Sequence, residues 1–499
     1  MGKEQVNALK RKFTQSIQNW YLNDVDHPLL VTGARRTGKT FVIEHSCGAI
    51  AGDQFVKLDF QTDLESAERI FDGPTDDVDR IVLRISEYTG KTLDPGRTIL
   101  FFDEVQLCEK ALNSLRFFAG SPWRVIASGS LLGVTTKQRK LPFPSGVRQL
   151  TLHPLDFEEF LWAMGEDAMA AAIREHAKTF ESYVLHERAL DLYRRYLVVG
   201  GMPLPVRQYR DTGLIESALE EVAEIDATYT ADMTDPDNGI SGISAKRIWD
   251  SLPKQLLRAS TKKFKYVDVV RGGRRERLLE PLEWLAAAGI VSINDLTRCD
   301  QAPLAPYSAD EGSFFKVYVA DTGVMFNKFG IDPKFVLDSS LQGVLSSDFR
   351  GALAENYAMQ ALKAVGLKTY YWMPEGSGAR GEIDFVFQTR EAQVIPIEVK
   401  SARNVSAKSL MRFMAEGRAP YGIRLSEKDF GRVELENGCE LRSLPLYAAH
   451  CIDEYAAGEF ERSERKAVEA ALTSKLEEGY QSGEDGGWTN AKVVRTRFE

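Results

Sequence analysis

The sequence is poor in residues that staple or metallate a protein. Its five cysteines (Cys47, Cys108, Cys299, Cys439 and Cys451) are scattered, odd in number and include no Cys-x-x-Cys pair. That pattern argues against a disulfide framework or a cysteine zinc site and for reduced thiols in the cytoplasm. The six histidines show no His-Glu-x-x-His spacing, so a zinc hydrolase is not expected. Long apolar runs are missing: the stretch from Tyr196 to Val206 is too short to span a bilayer and is broken by Gly200, Gly201, Pro203 and Pro205. The first residues carry no apolar signal core, and Val6 stands where a myristoylation pattern needs Ser or Thr. Excess positive charge is absent as well, the formal net charge being -9. A nucleic-acid footprint would therefore have to be a local patch. The expectation is a cytoplasmic protein with no membrane partner.

What is present points to several α/β domains. The chain has 499 residues, 43% of them hydrophobic, enough for more than one core. Residues 3–22 read as an amphipathic helix, with Val6, Leu9, Phe13, Ile17 and Trp20 at near-helical spacing. Strand-like runs follow at Leu29–Thr32, Phe55–Asp59, Thr98–Phe102, Trp123–Ala127 and Val147–Leu152, separated by helical patterns. Such alternation predicts a parallel sheet with helices on both faces. From Asp156 to Asp235 the pattern is helical, interrupted by Gly200-Gly201-Met202-Pro203. Next come a helix (Ser244–Leu257), a short segment (Lys265–Val270), a second long helix (Arg275–Ala288) and two strands (Ile290–Ile293, Phe314–Val319). That order suggests a winged helix. Residues 350 to about 450 are mixed α/β, and a charged tail follows from Ala456.

The first strand runs into Gly33-Ala34-Arg35-Arg36-Thr37-Gly38-Lys39-Thr40. Gly33 and Gly38 permit backbone conformations that wrap amide groups around phosphate oxygens. Lys39 supplies positive charge to the β- and γ-phosphates, and the Thr40 hydroxyl is suited to Mg²⁺. The helix opening at Lys39 points its positive dipole end at the same anion. The third strand, Thr98-Ile99-Leu100-Phe101-Phe102, ends in Asp103-Glu104. Asp103 is placed to hold the hydrated metal ion, and Glu104 to orient or deprotonate the attacking water. ATP and Mg²⁺ are the cofactors this pairing calls for, with Lys39 and Glu104 as the catalytic residues. The fourth strand runs into Ala127-Ser128-Gly129-Ser130, where Ser130 or Ser128 would sense the γ-phosphate, or the serines form an ordinary turn. Arg35, Arg36 and Arg148 are candidates for stabilising transition-state charge.

A second constellation lies in Gly381-Glu382-Ile383-Asp384-Phe385-Val386-Phe387 and Val394-Ile395-Pro396-Ile397-Glu398-Val399-Lys400. Two strands joined by a polar turn would set Asp384 beside Glu398, and Glu398 and Lys400, two apart, share a strand face. Two carboxylates and a lysine suit metal-dependent phosphodiester hydrolysis, with Glu355 as a third acidic ligand from a helix beginning near Gly351. The pattern is short, and a solvated strand face carries the same alternation. Glu355, Asp384, Glu398 and Lys400 match the motif positions of the PD-(D/E)XK nuclease superfamily, which this region resembles. Arg271-Gly272-Gly273-Arg274-Arg275-Glu276-Arg277 opens the second long helix. Arginines there suit DNA phosphate or guanine, or a solvated turn.

The phosphate-loop half resembles the bacterial and archaeal AAA-type ATPases in which the ATPase core precedes a C-terminal domain of unknown function. The resemblance rests on residues 33–40, Phe102-Asp103-Glu104 and Ser128-Gly129-Ser130. It continues in Leu152-His153-Pro154-Leu155-Asp156-Phe157-Glu158-Glu159-Phe160, Gly200-Gly201-Met202-Pro203 and Lys316-Val317-Tyr318-Val319-Ala320-Asp321-Thr322-Gly323. It covers residues 25 to 425 and implies a sheet order 5-1-4-3-2. The expected plan is an N-terminal helix (1–22), a P-loop ATPase core (23–160), a helical lid or linker (161–240), a winged-helix-like domain (241–325), a nuclease-like domain (326–455) and a charged tail (456–499). Two functional expectations stay open. One is an ATP-hydrolysing protein whose C-terminal domain engages or cleaves DNA. The other is a nucleotide-dependent switch acting through a protein partner, with an inactive nuclease-like domain. Assembly into a homo-oligomer is compatible with either.

Overall fold

A computed structural model of the chain describes residues 8–24, 26–130, 144–236, 240–258, 262–307, 314–375, 381–403, 407–415 and 419–456. The expected charged tail and Val6 lie outside the described residues. By contact the chain divides into two units, one comprising Arg11–His153 and the other beginning at Pro154.

The first unit is built on strands β1 (Leu29–Thr32), β2 (Phe55–Asp59), β3 (Ile99–Asp103), β4 (Arg124–Gly129) and β5 (Arg148–Thr151). They form a five-stranded sheet in the order β2-β3-β4-β1-β5, every pairing parallel. This is the order 5-1-4-3-2 that the resemblance implied. Successive residues along each strand enter opposite cores, as the pleat requires. Leu30, Leu100, Phe102 and Val125 pack with Phe60, Phe71, Ile81 and Ile85. Leu29, Val31, Ile99, Phe101 and Ile126 pack with Ile17, Trp20, Ile43 and Cys47 on the other side. Both faces of the central strands are therefore apolar, and β3 is buried along its whole length. Truncating Phe102 to alanine would cost about 3–5 kcal/mol at such a site.

The first helix is Phe13–Asn23; residues 8–12 of the predicted helix are not helical, and residues 3–7 lie outside the described residues. Its entry is fixed by Arg11, whose guanidinium donates to the carbonyls of Thr37 at 3.2 Å and His153 at 2.6 Å. These bonds tie down the chain at Arg11, within the non-helical residues 8–12.

The second unit opens with a helix at Phe157–Ala163, capped reciprocally by Asp156 and Glu159. Helices follow at Asp167–Thr179, His186–Val199, Pro203–Thr212, Ile215–Thr234, Gly242–Leu256, Tyr266–Val269 and Arg275–Ala287. The Gly200-Gly201 break has a steric cause. A Cβ on Gly200 would lie 2.3 Å from Asp321 Oδ1, and one on Gly201 would lie 2.1 Å from the Leu155 carbonyl oxygen. Asp321 accepts from Gly201 N–H at 2.7 Å and caps the helix Thr322–Phe329 through Val324 N–H at 3.1 Å. The two sequence motifs around Gly200 and Asp321 thus meet in space.

Strands β6 (Val291–Thr297), β7 (Phe315–Val319), β8 (Thr369–Trp372), β9 (Ile383–Gln388), β10 (Val394–Val399), β11 (Tyr421–Ser426), β12 (Gly431–Glu434) and β13 (Glu440–Pro445) complete the unit. They form one mixed sheet in the order β12-β13-β11-β10-β9-β8-β6-β7. β6 pairs antiparallel with β7 and parallel with β8, placing Leu296 beside Tyr371. Residues assigned from sequence to separate winged-helix-like and nuclease-like segments therefore contribute strands to the same sheet. Among the described residues, no helix is long and apolar enough to cross a membrane.

Candidate functional site

The phosphate loop follows β1 and turns into the helix Lys39–Ala51. Gly38, the residue before that helix, takes φ +87°, a left-handed conformation that favours glycine. Gly33 has φ +141°, and a Cβ there would lie 2.3 Å from the Leu152 carbonyl oxygen, so only glycine fits between the loop and the end of β5. Thr37 is buried and its hydroxyl donates to the Ala34 carbonyl at 2.9 Å. Lys39 Nζ lies inside the loop, donating to the carbonyls of Gly33 at 3.0 Å and Ala34 at 2.9 Å. Burial pushes the Lys39 ammonium down to about 8, while Glu104 and Asp103 pull it up and Arg35 pushes it further down. Arg36 is exposed, with φ +67°.

The two residues expected to hold Mg²⁺ are adjacent. Thr40 Oγ1 donates to Asp103 Oδ1 at 3.0 Å, and the same oxygen accepts from the Ser128 hydroxyl. Thr40 and Asp103 thus fit a hydrated Mg²⁺ beside the loop, where it would supply charge stabilisation to phosphates. Asp103 Oδ2 meets the Lys57 ammonium at 3.0 Å. Lys57 also contacts Glu44 at 2.9 Å and Asp59 at 3.3 Å. Burial lowers the Lys57 pKa, but hydrogen bonds to Glu44 and Asp103 more than offset it, and the net direction is upward.

Glu104 follows in a left-handed backbone conformation, φ +54°. Its Oε1 accepts from the Ser130 hydroxyl at 2.7 Å, and its Oε2 from Gln106 Nε2 at 2.6 Å. Burial works to raise the Glu104 pKa, yet these two bonds and the Lys39 charge hold it below the usual carboxylate range. The two serines expected at the end of β4 are divided in their tasks: Ser128 braces Asp103 and Ser130 braces Glu104. Arg148 is a correction to the sequence reading. It starts β5, at the end of the strands away from the loop, and its Nε donates to Asp24 Oδ2 at 2.5 Å. Lys57, Gln106 and Arg11 were missed from sequence. For Lys57 the only signal was a lysine two residues before Asp59, which the sheet register sets beside Asp103.

In the second unit the four expected residues lie close together, joined by others. β9 and β10 pair antiparallel with Ile397 opposite Phe385, and Val399 N–H donates to Asp384 Oδ2 at 2.8 Å. Glu398 Oε1 meets Lys400 Nζ at 2.8 Å, and its Oε2 accepts from Leu410 N–H at 3.3 Å. Glu355 projects from the helix Ser347–Ala364 and is buried. Its Oε1 accepts from the Tyr318 hydroxyl at 2.5 Å and from Lys316 Nζ at 3.0 Å, and its Oε2 pairs with Lys262. Lys316, on β7, also meets Glu382 Oε1 at 2.6 Å and Asp384 Oδ1 at 3.9 Å. Burial raises the Asp384 pKa, and the neighbouring Glu355 raises it further. Burial opposes ionisation of Glu355 too, but Lys262 and Lys316 reverse the direction and hold it low. Lys316, Glu382, Lys262 and Tyr318 carried no local signal, because they reach the cluster from other elements. Among the described residues, no three His, Cys, Asp or Glu side chains are gathered so as to hold a metal ion. The carboxylates of this cluster are spaced around ammonium groups instead.

Residues 25–161 match a family model described as an AAA domain. Residues 190–334 and 350–444 match two domains of unknown function, DUF8612 and DUF4143. No curated protein matches the chain. Among solved structures, the Walker-type ATPase PABY2304 of Pyrococcus abyssi is 14% identical, with TM-score 0.41, covering 65% of this chain and 97% of that one. The Aeropyrum pernix ORC1 protein, solved in complex with DNA, is 14% identical with TM-score 0.28, covering 66% of this chain and 95% of that one. Cdc6p from Pyrobaculum aerophilum is 14% identical with TM-score 0.24, covering 68% and 97%. Likenesses this distant carry no argument about partners.

Proposed function

We propose that the chain binds and hydrolyses ATP at the loop of residues 33–40, with the unit beginning at Pro154 as the part that nucleotide state acts on. The observation that carries this reading is the Thr40–Asp103–Glu104 arrangement: a hydroxyl and a carboxylate side by side for Mg²⁺, and a second carboxylate kept ionised beside them. Lys39 would exchange the two loop carbonyls it now contacts for phosphate oxygens, which are stronger, charged acceptors. Glu104, braced by Ser130 and Gln106, would orient the attacking water and accept its proton. Water activation is a transition-state role, so Glu104→Gln is expected to bind ATP normally while turnover falls about 100-fold or more. Binding by equilibrium titration and phosphate release under saturating ATP test this. Turnover at the wild-type rate in Glu104→Gln would remove that residue from the mechanism.

A DNA partner is favoured by one observation. Arg271, Arg274, Arg275 and Arg277 are all exposed around the start of the helix Arg275–Ala287, where several phosphates can be met at once. Binding of labelled duplex DNA should weaken steeply with salt and lose slope as these arginines are replaced in turn. Salt-independent binding, or the same slope without them, would count against this surface.

A further inference from the structure

The acidic cluster of the second unit has the residue types of a metal-dependent nuclease, but a lysine stands among the carboxylates. Lys316 is completely buried. Its Nζ is 3.0 Å from Glu355 Oε1, 2.6 Å from Glu382 Oε1 and 3.9 Å from Asp384 Oδ1, and 5.1 Å from the centre of the Tyr371 ring. It comes from β7, the edge strand separated from β9 by β8 and β6 in the sheet order. Other oxygens of the cluster are also engaged. Glu355 Oε2 pairs with Lys262, Asp384 Oδ2 accepts from Val399 N–H, and Glu398 divides its oxygens between Lys400 and Leu410 N–H.

The charges nearly balance without any ion. Four carboxylates (Glu355, Glu382, Asp384 and Glu398) face three ammonium groups (Lys262, Lys316 and Lys400). A buried ammonium held by several carboxylates satisfies the same electrostatic demand that a divalent cation otherwise meets. A magnesium ion needs oxygens at about 2.0–2.1 Å in octahedral array. Placed between Glu355 and Asp384 it would fall within contact distance of the Lys316 charge, in an interior where like charges repel strongly. Lys316 has no exposed surface, so moving its charge into water would require opening the packing around it.

We infer that Lys316 fills the place a divalent cation would take, so that this cluster binds no divalent metal and the second unit meets its partner without metal-dependent strand cleavage. The inference is independent of the ATPase reading, since every residue it uses lies beyond Pro154. It also makes a constructive claim: removing the ammonium leaves a buried group of carboxylates with a vacant centre and net negative charge, which should then take up a metal ion.

The test uses the full chain, free of nucleotide, with Mn²⁺ as the probe and paramagnetic resonance of free Mn²⁺ as the readout. Wild type, Asp384→Asn, Lys316→Ala and the Lys316→Ala/Asp384→Asn double variant are compared, with Lys316→Met as a variant that keeps bulk should alanine not fold. Wild type and Asp384→Asn are expected to bind Mn²⁺ alike, since neither uses this cluster. Lys316→Ala or Lys316→Met should gain one ion per chain, bound about tenfold or more tighter than any ion on wild type. The double variant should lose that gain. Three results would overturn the inference: a wild-type Mn²⁺ site that Asp384→Asn abolishes, plasmid nicking by wild type that Asp384→Asn abolishes, or a folded Lys316 variant that gains no ion. The wild-type and Asp384→Asn arms decide the matter even if both Lys316 variants misfold.

Discussion

Raising pH should weaken nucleotide binding through Lys39 alone, and the size of the effect follows from its burial. The ammonium sits at about 8 in the nucleotide-free loop because desolvation disfavours the charged form. At pH 7 roughly nine-tenths of the molecules carry the charge, and at pH 9 roughly one-tenth do. Bound phosphates favour the charged form, so binding above pH 8 must draw a proton from solvent. The sign is therefore fixed: affinity is full below about pH 7 and falls with rising pH, by about tenfold per unit above 8, or ~1.4 kcal/mol. Phosphate groups titrate near pH 6 and contribute little in this range. Calorimetric titration at pH 7.5, 8.5 and 9.5 (chosen conditions, about one unit apart) in two buffers of different ionisation enthalpy would measure both affinity and proton uptake. Uptake should climb from about a quarter of a proton towards one across that series. Lys39→Arg is the control, because a guanidinium keeps its charge at every pH used. Affinity that stays flat through pH 9.5, with heats that do not depend on buffer, would refute the assignment of Lys39 as the buried phosphate contact.

Lys57→Met removes a cation that touches Asp103, and the Mg²⁺ concentration for half-maximal ATPase activity should fall about three- to tenfold; an unchanged or higher requirement would mean Lys57 does not compete with the metal ion. Ser130→Ala deletes one of the two side-chain bonds that keep Glu104 ionised, so the acid limb of the kcat–pH profile should move upward by about one unit. A limb that stays in place would assign that limb to another group. Gly200→Ala forces a side chain against Asp321 and a left-handed φ on alanine, and should cost about 2–4 kcal/mol in urea unfolding of the full chain. A loss below about 0.5 kcal/mol would show that the Gly200–Asp321 junction yields easily.

The parts of the fold that could be read from sequence are those whose signals are local. Buried strands such as Ile99–Asp103 announce themselves as apolar runs, and Gly33 and Gly38 as positions where other residues clash or strain. Lys39, Thr40, Asp103 and Glu104 then come together because each sits at the carboxyl end of a strand or the start of the helix that follows. What stayed hidden depends on register and on long-range pairing. Lys57 matters only because β2 lies beside β3, and Lys316 only because its strand, 39 residues before Glu355, ends up across the same interior. Arg148 misled because its position in the motif order says nothing about which end of the sheet it occupies. Ahead of the helix start at Phe13, Arg11 is held by carbonyls of Thr37 and His153, partners far along the chain.

The pairing of β6 with β8 limits how the chain can be divided. The regions 190–334 and 350–444, which match separate family models, share one hydrogen-bonded sheet. A gene fragment ending between them would leave β6 with a raw edge at Leu296 and Thr297, the residues that pair with Tyr371 and Trp372, and such edges recruit foreign strands. It would also part Lys316 from Glu355, leaving an unpaired charge in each piece. The two regions are therefore expected to fold as a single module, and expressing either one without the other should give an unstable or aggregating product.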